Sequence, residues 1–516
     1  MQRGELETDC LIGIDIGTQS LRALLTDRRG WLRASASRPT PALHPEPGKA
    51  EDDPEALWRM TLAILSELAP KVPAGHAIAG MAVASVGESC VLLDKAGAPL
   101  GTAIAWFDRR TEEDAAWLAE RMSPARLFGI TGLARDPSYT LCKLLWTRRV
   151  MPERFAATRR MLNIADWIAF RLCGERATDF SLASRTSCLD LRNRRWSAEL
   201  LGELGFDIDL FPPIRASGTP LGCVRPEMLA ETGLPGRPII GVGAHDHVCG
   251  GFAAGALAER VLLDSMGTAE AILLGAREPV MAPEFVRQGY IQGAFERDAA
   301  LFYRGGAINS SGGAIEWLRS LLGGTSYQQL IAEAGRIAPG SAGVSFLPHL
   351  AYSPPPHADI AARGAFVGLT AATERGALFR AVLEGLAMEA RGIVDGMTAL
   401  EGTRPPDTIV VTGGNTRNRL LLEIKASTYG RPMTIIAEPE ATALGAALMG
   451  GIAAGLRADL REALEEIEQE RLVVEPWPAW IPVYDELSKT VHSRLYATVR
   501  PVNTVLAKRE GEAGWR

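Results

Sequence analysis

The chain has 516 residues, more than one hydrophobic core usually supports, so two or more domains are expected. A composition of 47% hydrophobic and 22% charged residues is that of an ordinary globular protein, and a formal net charge of −6 argues against a broad nucleic-acid-binding surface. The charged N-terminus lacks the apolar run of a signal peptide, and seven scattered cysteines without a C-x-x-C pair read as reduced thiols of a cytoplasmic protein.

In chain order, residues 11–16 form an apolar run that ends in Gly17-Thr18-Gln19-Ser20, and a second run covers 21–25. With the turn at 27–30 this reads as strand, tight turn, strand, turn, strand through about residue 37. Asp53-Pro54 supplies an N-cap and a proline in the first turn of a helix. Strands are expected at 78–86, 91–94, 104–106 and 238–243. Helices fill much of 112–174, with Pro124 and Pro152 as interruptions.

The opening pattern then returns. Residues 261–266, Gly267-Thr268 and residues 269–274 repeat apolar run, Gly-Thr turn and apolar run 250 residues later. Two domains of one architecture are therefore expected. A helix at about 314–322, a helix over 373–400, a strand at 408–411, Gly413-Gly414-Asn415, a helix from about Asn418 and a strand at 433–436 follow. Residues 441–456 are mostly alanine and glycine, too few to span a bilayer, and read as a closely packed buried helix. Residues 457–516 read as a helical cap whose last ten residues lack fixed structure.

Three segments carry candidate chemistry. In Asp15-Ile16-Gly17-Thr18-Gln19-Ser20-Leu21-Arg22, a hairpin can aim N–H groups and hydroxyls at phosphate, with Asp15 holding Mg²⁺ directly or through water. An ordinary hairpin with a charged rim would read the same. Gly413-Gly414, between strand and helix, admits close approach of a flat or anionic ligand, or simply punctuates a strand. Asp246, past a buried strand, suits a base oriented on a hydroxyl. His245, His247 and Cys249 could also be metal ligands, but neighbours on an extended run face opposite ways and no second Cys/His cluster completes a site. No Walker A or opening G-x-G-x-x-G pattern is present, which disfavours P-loop and Rossmann folds.

Trp106-Phe107-Asp108-Arg109-Arg110 resembles the W-x-D-x-R of the FGGY carbohydrate kinases, and Lys143 to Trp146 resembles that family's first signature. Thr178-Asp179-Phe180-Ser181, with Ala183-Ser184 and Thr186, resembles its T-D-Y-S-x-A-S-x-T stretch. Residues 364–369 with 380–385 resemble its second signature. The resemblance spans residues 10–500 in family order.

It implies two ribonuclease-H-like α/β domains of the actin/hexokinase type facing across a cleft, at 8–255 and 256–456, with the cap at 457–516. The implied activity is transfer of phosphate from ATP, with Mg²⁺, to a hydroxyl of a ketopentose, ketohexose or polyol. The acceptor lies against the N-terminal domain, ATP lies against the C-terminal one, and closure excludes water. It implies Asp246 as general base, and Thr18, Gln19, Ser20 and Arg22 as the first phosphate loop beside Asp15. Gly267 and Thr268 form the second loop, Gly312, Ile315 and Glu316 a nucleotide-contacting helix start, and Gly414 and Asn418 the adenosine pocket. Glu88, Trp106 and His247 fall at acceptor contacts. No nucleic-acid or membrane partner is implied, and homodimerisation is left open.

The departures leave the acceptor unspecified. Residues 85–89 lack the family's G-Q-M-H and Q-R-E, although Glu88 matches the latter's carboxylate. Ser138 replaces a substrate tyrosine, and the adjacent Tyr139 would face the other way in a strand. The usual G-x-R and the polar residue near Ala377 are missing, and histidines flank Asp246. A nucleotide-driven assembly ATPase on the same fold would dispense with the W-x-D-x-R segment and Asp246, and a non-catalytic sugar sensor would have no need to retain Asp15, Thr18, Asp246 and Thr268 together.

Overall fold

The computed structural model describes residues 9–40, 42–297, 300–400, 404–436, 440–467 and 471–513. Residue 8 and the last three residues lie outside them. The apolar strand Asp9–Ile16 pairs antiparallel with Ser20–Asp27 and parallel with Ala77–Ser85, and Ala77–Ser85 runs parallel to Gly236–His245. Pro220–Cys223 and Leu32–Pro39 close the two edges of this six-stranded sheet. In the second half, Val261–Met266 pairs antiparallel with Glu270–Ala276 and parallel with Thr408–Thr412, which runs parallel to Met433–Ile436. Ala300–Ile308, Ile291–Arg297 and Arg471–Val474 complete a seven-stranded sheet. The two sheets thus repeat one strand order, and the Gly-Thr turns stand at equivalent places. Buried on both faces, the central strands read as near-continuous apolar runs.

Helices cover both sheets. Pro54–Leu68 begins where the Asp53 carboxylate accepts from the N–H groups of Glu55 and Ala56 at 2.9 and 3.2 Å. Pro124 and Pro152 start new helices, because a proline in the first turn costs no hydrogen bond. The expected strand at 104–106 is shorter, Ala103–Ile104, and leaves Trp106 in a turn. The C-terminal segment supplies the edge strand Arg471–Val474 as well as helices, and the helix Ser493–Ala513 continues through residues expected to be unstructured.

One packing feature places the two halves. The helix Ala441–Ala453, which leads out of the second sheet, lies on the first sheet. A Cβ on Gly13 would stand 1.7 Å from the Ala443 carbonyl oxygen, and one on Gly80 1.9 Å from that of Gly450. The expected close packing holds: backbone meets backbone where side chains are missing. A shared core joins the halves, with Ala84, Val248 and Phe252 of the first packed with Leu263, Phe295, Tyr303 and Met449 of the second.

Candidate active site

The first hairpin is built by main-chain geometry. Gly17 N–H donates to Ser20 O at 3.0 Å, leaving Thr18 and Gln19 exposed at the tip. Thr40 braces the turn, its N–H donating to Gln19 O and its Oγ1 to Gly17 O, both at 3.0 Å. Trp106 Nε1 donates to Thr18 Oγ1 at 2.9 Å. Arg22 holds Glu440 through both carboxylate oxygens at 3.1 and 2.9 Å, and its Nε donates to Ser20 Oγ at 2.9 Å. The first hairpin is thereby tied to the start of the helix Ala441–Ala453.

Asp15 ends the strand beside this turn. Burial, with the Asp246 carboxylate nearby, pushes its carboxyl up to about 8 against the pull of Arg22. Its Oδ1 is buried without a hydrogen-bond partner. A carboxylate so placed fits a divalent cation that completes its shell with water and phosphate oxygens. Among the described residues, no group of three or more His, Cys, Asp or Glu side chains forms a metal cage.

Asp246 opens the helix Asp246–Ala253 where Gly236–His245 ends, so the residues around it lie in a helical turn and not on an extended run. His247 N–H donates to Asp246 Oδ1 at 2.6 Å, and His245 Nε2 lies 3.3 Å from the same oxygen. Burial would raise this carboxyl, but the two imidazoles and the N–H outweigh it and hold Asp246 below its ordinary value. His245 is drawn down to about 4 by burial and stays neutral. Thr442 Oγ1 donates to Asp246 O at 3.5 Å.

In the second half, Gly267 and Thr268 accept from the N–H groups of Gly312 and Gly313 at 3.2 and 3.1 Å, and Asn415 Nδ2 donates to Gly267 O at 3.0 Å. A Cβ on Gly312 would meet Gly267 O at 2.6 Å. Gly413, at φ 96°, has Met266 O 2.5 Å from where a Cβ would sit, while Gly414 faces open space. Behind the turn, buried Lys425 binds Asp264 at 2.5 Å and Glu270 at 2.6 Å, and Ser311 Oγ donates to Glu270 at 2.7 Å. The Gly267–Thr268 hairpin therefore rests on a paired, buried charge network.

Three expected nucleotide residues stand differently from the rest. The Ile315 side chain is 3% exposed within the core, because its place on the helix Gly312–Leu321 points inward. Glu316 accepts from Arg319 and Tyr327, which hold its carboxyl down at about 2. Asn418 caps the helix Arg419–Tyr429, its Oδ1 accepting from Leu421 N–H at 3.2 Å.

On the acceptor side, Glu88 is 5% exposed, with φ at 62° and its Oε1 accepting from Arg185 Nε at 2.6 Å. Trp106 is half-exposed above the first hairpin. His247 turns instead into a cavity of about 100 Å³ with Ser265, Thr412, Gly413 and Thr442, between the two halves. Tyr139 is no strand residue: it precedes the helix Thr140–Val150 and lies buried, 5.1 Å beneath the Arg185 guanidinium. Sequence reasoning passed over Arg185, although it occupies the variable position of the A-S-x-T stretch, and over Tyr303, which reaches it from the second half.

Residues 10–253 match the N-terminal domain, and residues 262–454 the C-terminal domain, of the FGGY family of carbohydrate kinases. The chain is 32% identical over 470 residues to a glycerol kinase of Gloeobacter violaceus, covering 89% of this chain and 91% of that one. It is 28% identical over 499 residues to a xylulose kinase of Bacillus subtilis, covering 96% and 98%. The solved structure of a xylulose kinase from Rhodospirillum rubrum superposes with a TM-score of 0.87 at 29% identity, covering 96% and 99%. A glycerol kinase of Plasmodium falciparum solved with ADP shares the fold, with a TM-score of 0.85 at 21% identity, covering 95% and 98%. Both sheets, both Gly-Thr hairpins and the domain matches on either side of them lead to one conclusion: this chain belongs to the FGGY family of carbohydrate kinases, phosphotransferases that use an alcohol group as acceptor.

Proposed function

We propose that this protein transfers the γ-phosphate of ATP to a hydroxyl of a small sugar or polyol, with Asp246 as general base. The observation that carries the reading is the Asp246 carboxylate: ionised, with Oδ1 committed to the His247 N–H and the second oxygen left to take a proton. As the acceptor oxygen forms its bond to the γ-phosphorus, its proton passes to Asp246 and the bond from phosphorus to the bridging oxygen of ADP breaks. Thr18, Gln19 and Ser20 from one hairpin, and Gly267 and Thr268 from the other, offer donors to the phosphates, with Gly312 setting the second turn. Asp15 would hold magnesium, which supplies charge neutralisation to the phosphate oxygens. Gly414 leaves room for the adenosine, while Ile315, Glu316 and Asn418 shape its surroundings through packing, a surface ion pair and a helix cap.

Glu88 and Trp106 form the acceptor wall, and His247 faces the cavity between acceptor and phosphates. ADP release coupled to a spectrophotometric readout, across ketopentoses, ketohexoses and polyols, tests the reading. Release that depends on one of these acceptors supports it; release at the same rate with none of them would make the protein an ATPase of another kind.

A further inference from the structure

Lys143 lies in the helix Thr140–Val150 and is 2% exposed, an uncommon place for an ammonium group. Both of its described hydrogen bonds end on main-chain carbonyls. Nζ donates to Glu88 O at 3.1 Å and to Ala105 O at 3.0 Å. These carbonyls belong to two separate loops, one carrying Glu88 and the other running directly into Trp106. A single buried cation thus fixes the spacing of the two acceptor walls.

The Glu88 loop needs such a hold. At φ 62° it occupies the left-handed region that residues with side chains rarely adopt, a conformation that persists only where its surroundings over-determine it. Three groups do so: Lys143 Nζ and Thr140 Oγ1 on its carbonyl, the latter at 3.0 Å, and Arg185 on its carboxylate at 2.6 Å. Residues 139, 140 and 143 share one helical turn, so the Tyr139 ring under Arg185 belongs to the same support. Charge-assisted bonds in a water-poor setting are stronger than surface ones, and losing them leaves Glu88 O with Thr140 Oγ1 alone and Ala105 O with the Asp108 N–H alone, at 3.2 Å. Burial draws the ammonium down to about 8 against the pull of the Glu88 carboxylate.

We propose that Lys143 is a positioning residue for the acceptor: it sets the distance between the Glu88 carboxylate and the Trp106 indole, and so governs acceptor affinity and choice without handling phosphate. The proposal rests on the kinase reading for what the acceptor is.

The test compares Lys143→Met, which keeps the length and removes the donors, with Thr140→Val, which removes one bond to Glu88 O and leaves the Ala105 bond intact. Acceptor KM, nucleotide affinity without acceptor, and amide hydrogen exchange at residues 86–90 and 104–108 are measured on the full chain. Lys143→Met is expected to raise acceptor KM at least about tenfold, to hold nucleotide affinity within about threefold, and to speed exchange in both segments. Thr140→Val should speed exchange at 86–90 alone and raise acceptor KM by about two- to fivefold. Unchanged acceptor KM in Thr140→Val, or equal losses of acceptor and nucleotide affinity in Lys143→Met, overturns the proposal. Should the wild-type protein phosphorylate no acceptor, the kinase reading fails on its own, and unchanged exchange in both segments would then overturn the clamp separately.

Discussion

Asp246→Asn separates proton transfer from everything else Asp246 does. Oδ1 accepts the His247 N–H at 2.6 Å and has His245 Nε2 at 3.3 Å, so the asparagine oxygen takes that place and the helix start is kept. The amide –NH₂ then occupies the position of the free oxygen, offering donors where the acceptor hydroxyl needs a base. Loss of a positioned base costs about 10²–10⁴ in rate, or about 3–5 kcal/mol at ~1.4 kcal/mol per tenfold. Stability should be almost unchanged, whereas Asp246→Ala also loses the bond to His247 N–H, worth about 1 kcal/mol at a helix start. Nucleotide binding should survive, because removing this negative charge relieves the repulsion that adds to burial in raising Asp15 and takes nothing from the phosphate-facing hairpins. The assay is coupled ADP release at saturating acceptor, beside a nucleotide titration and a thermal melt. A well-folded Asp246→Asn protein turning over within about threefold of wild type would remove Asp246 from the role.

Three further outcomes follow from the geometry. Gly13→Ala places a methyl 1.7 Å from Ala443 O, where only backbone can yield, so unfolding stability should fall by about 3 kcal/mol; Gly129→Ala, exposed inside a helix with open space around it, is the control and should instead gain about 0.5–1 kcal/mol, and a Gly13→Ala denaturation midpoint no lower than wild type would refute the interdomain packing. Lys425→Met leaves Asp264 and Glu270 buried without their cation, which should cost about 3–5 kcal/mol in denaturant unfolding and weaken nucleotide binding through the Gly267–Thr268 hairpin; wild-type stability would contradict this. Asp246 is held below its ordinary value of 3.8, so its ionised form persists through neutral pH and its own limb of the kcat/KM profile should lie below that value at saturating magnesium; an acid limb above pH 6 that survives in Asp246→Asn would point to another group, Asp15 at about 8 being the first candidate.

The sequence by itself determined the local architecture. Apolar runs interrupted by Gly-Thr turns specified both hairpins, because strand periodicity and turn chemistry act over a few residues. Asp53-Pro54 specified a helix start for the same reason, and the order of weak motifs along the chain pointed to the family. What only the tertiary structure decided depends on residues distant in the chain. An alanine- and glycine-rich segment announces close packing but not its partner, and the partner of Ala441–Ala453 is the sheet holding Gly13, more than 400 residues earlier. Which face of Gly312–Leu321 turns inward, packing the Ile315 side chain into the core, was likewise not legible in the motif. The elevated Asp15, the neutral His245 and the Lys143 bridge arise from burial and neighbouring charge, and those exist only once the chain has brought separate loops together.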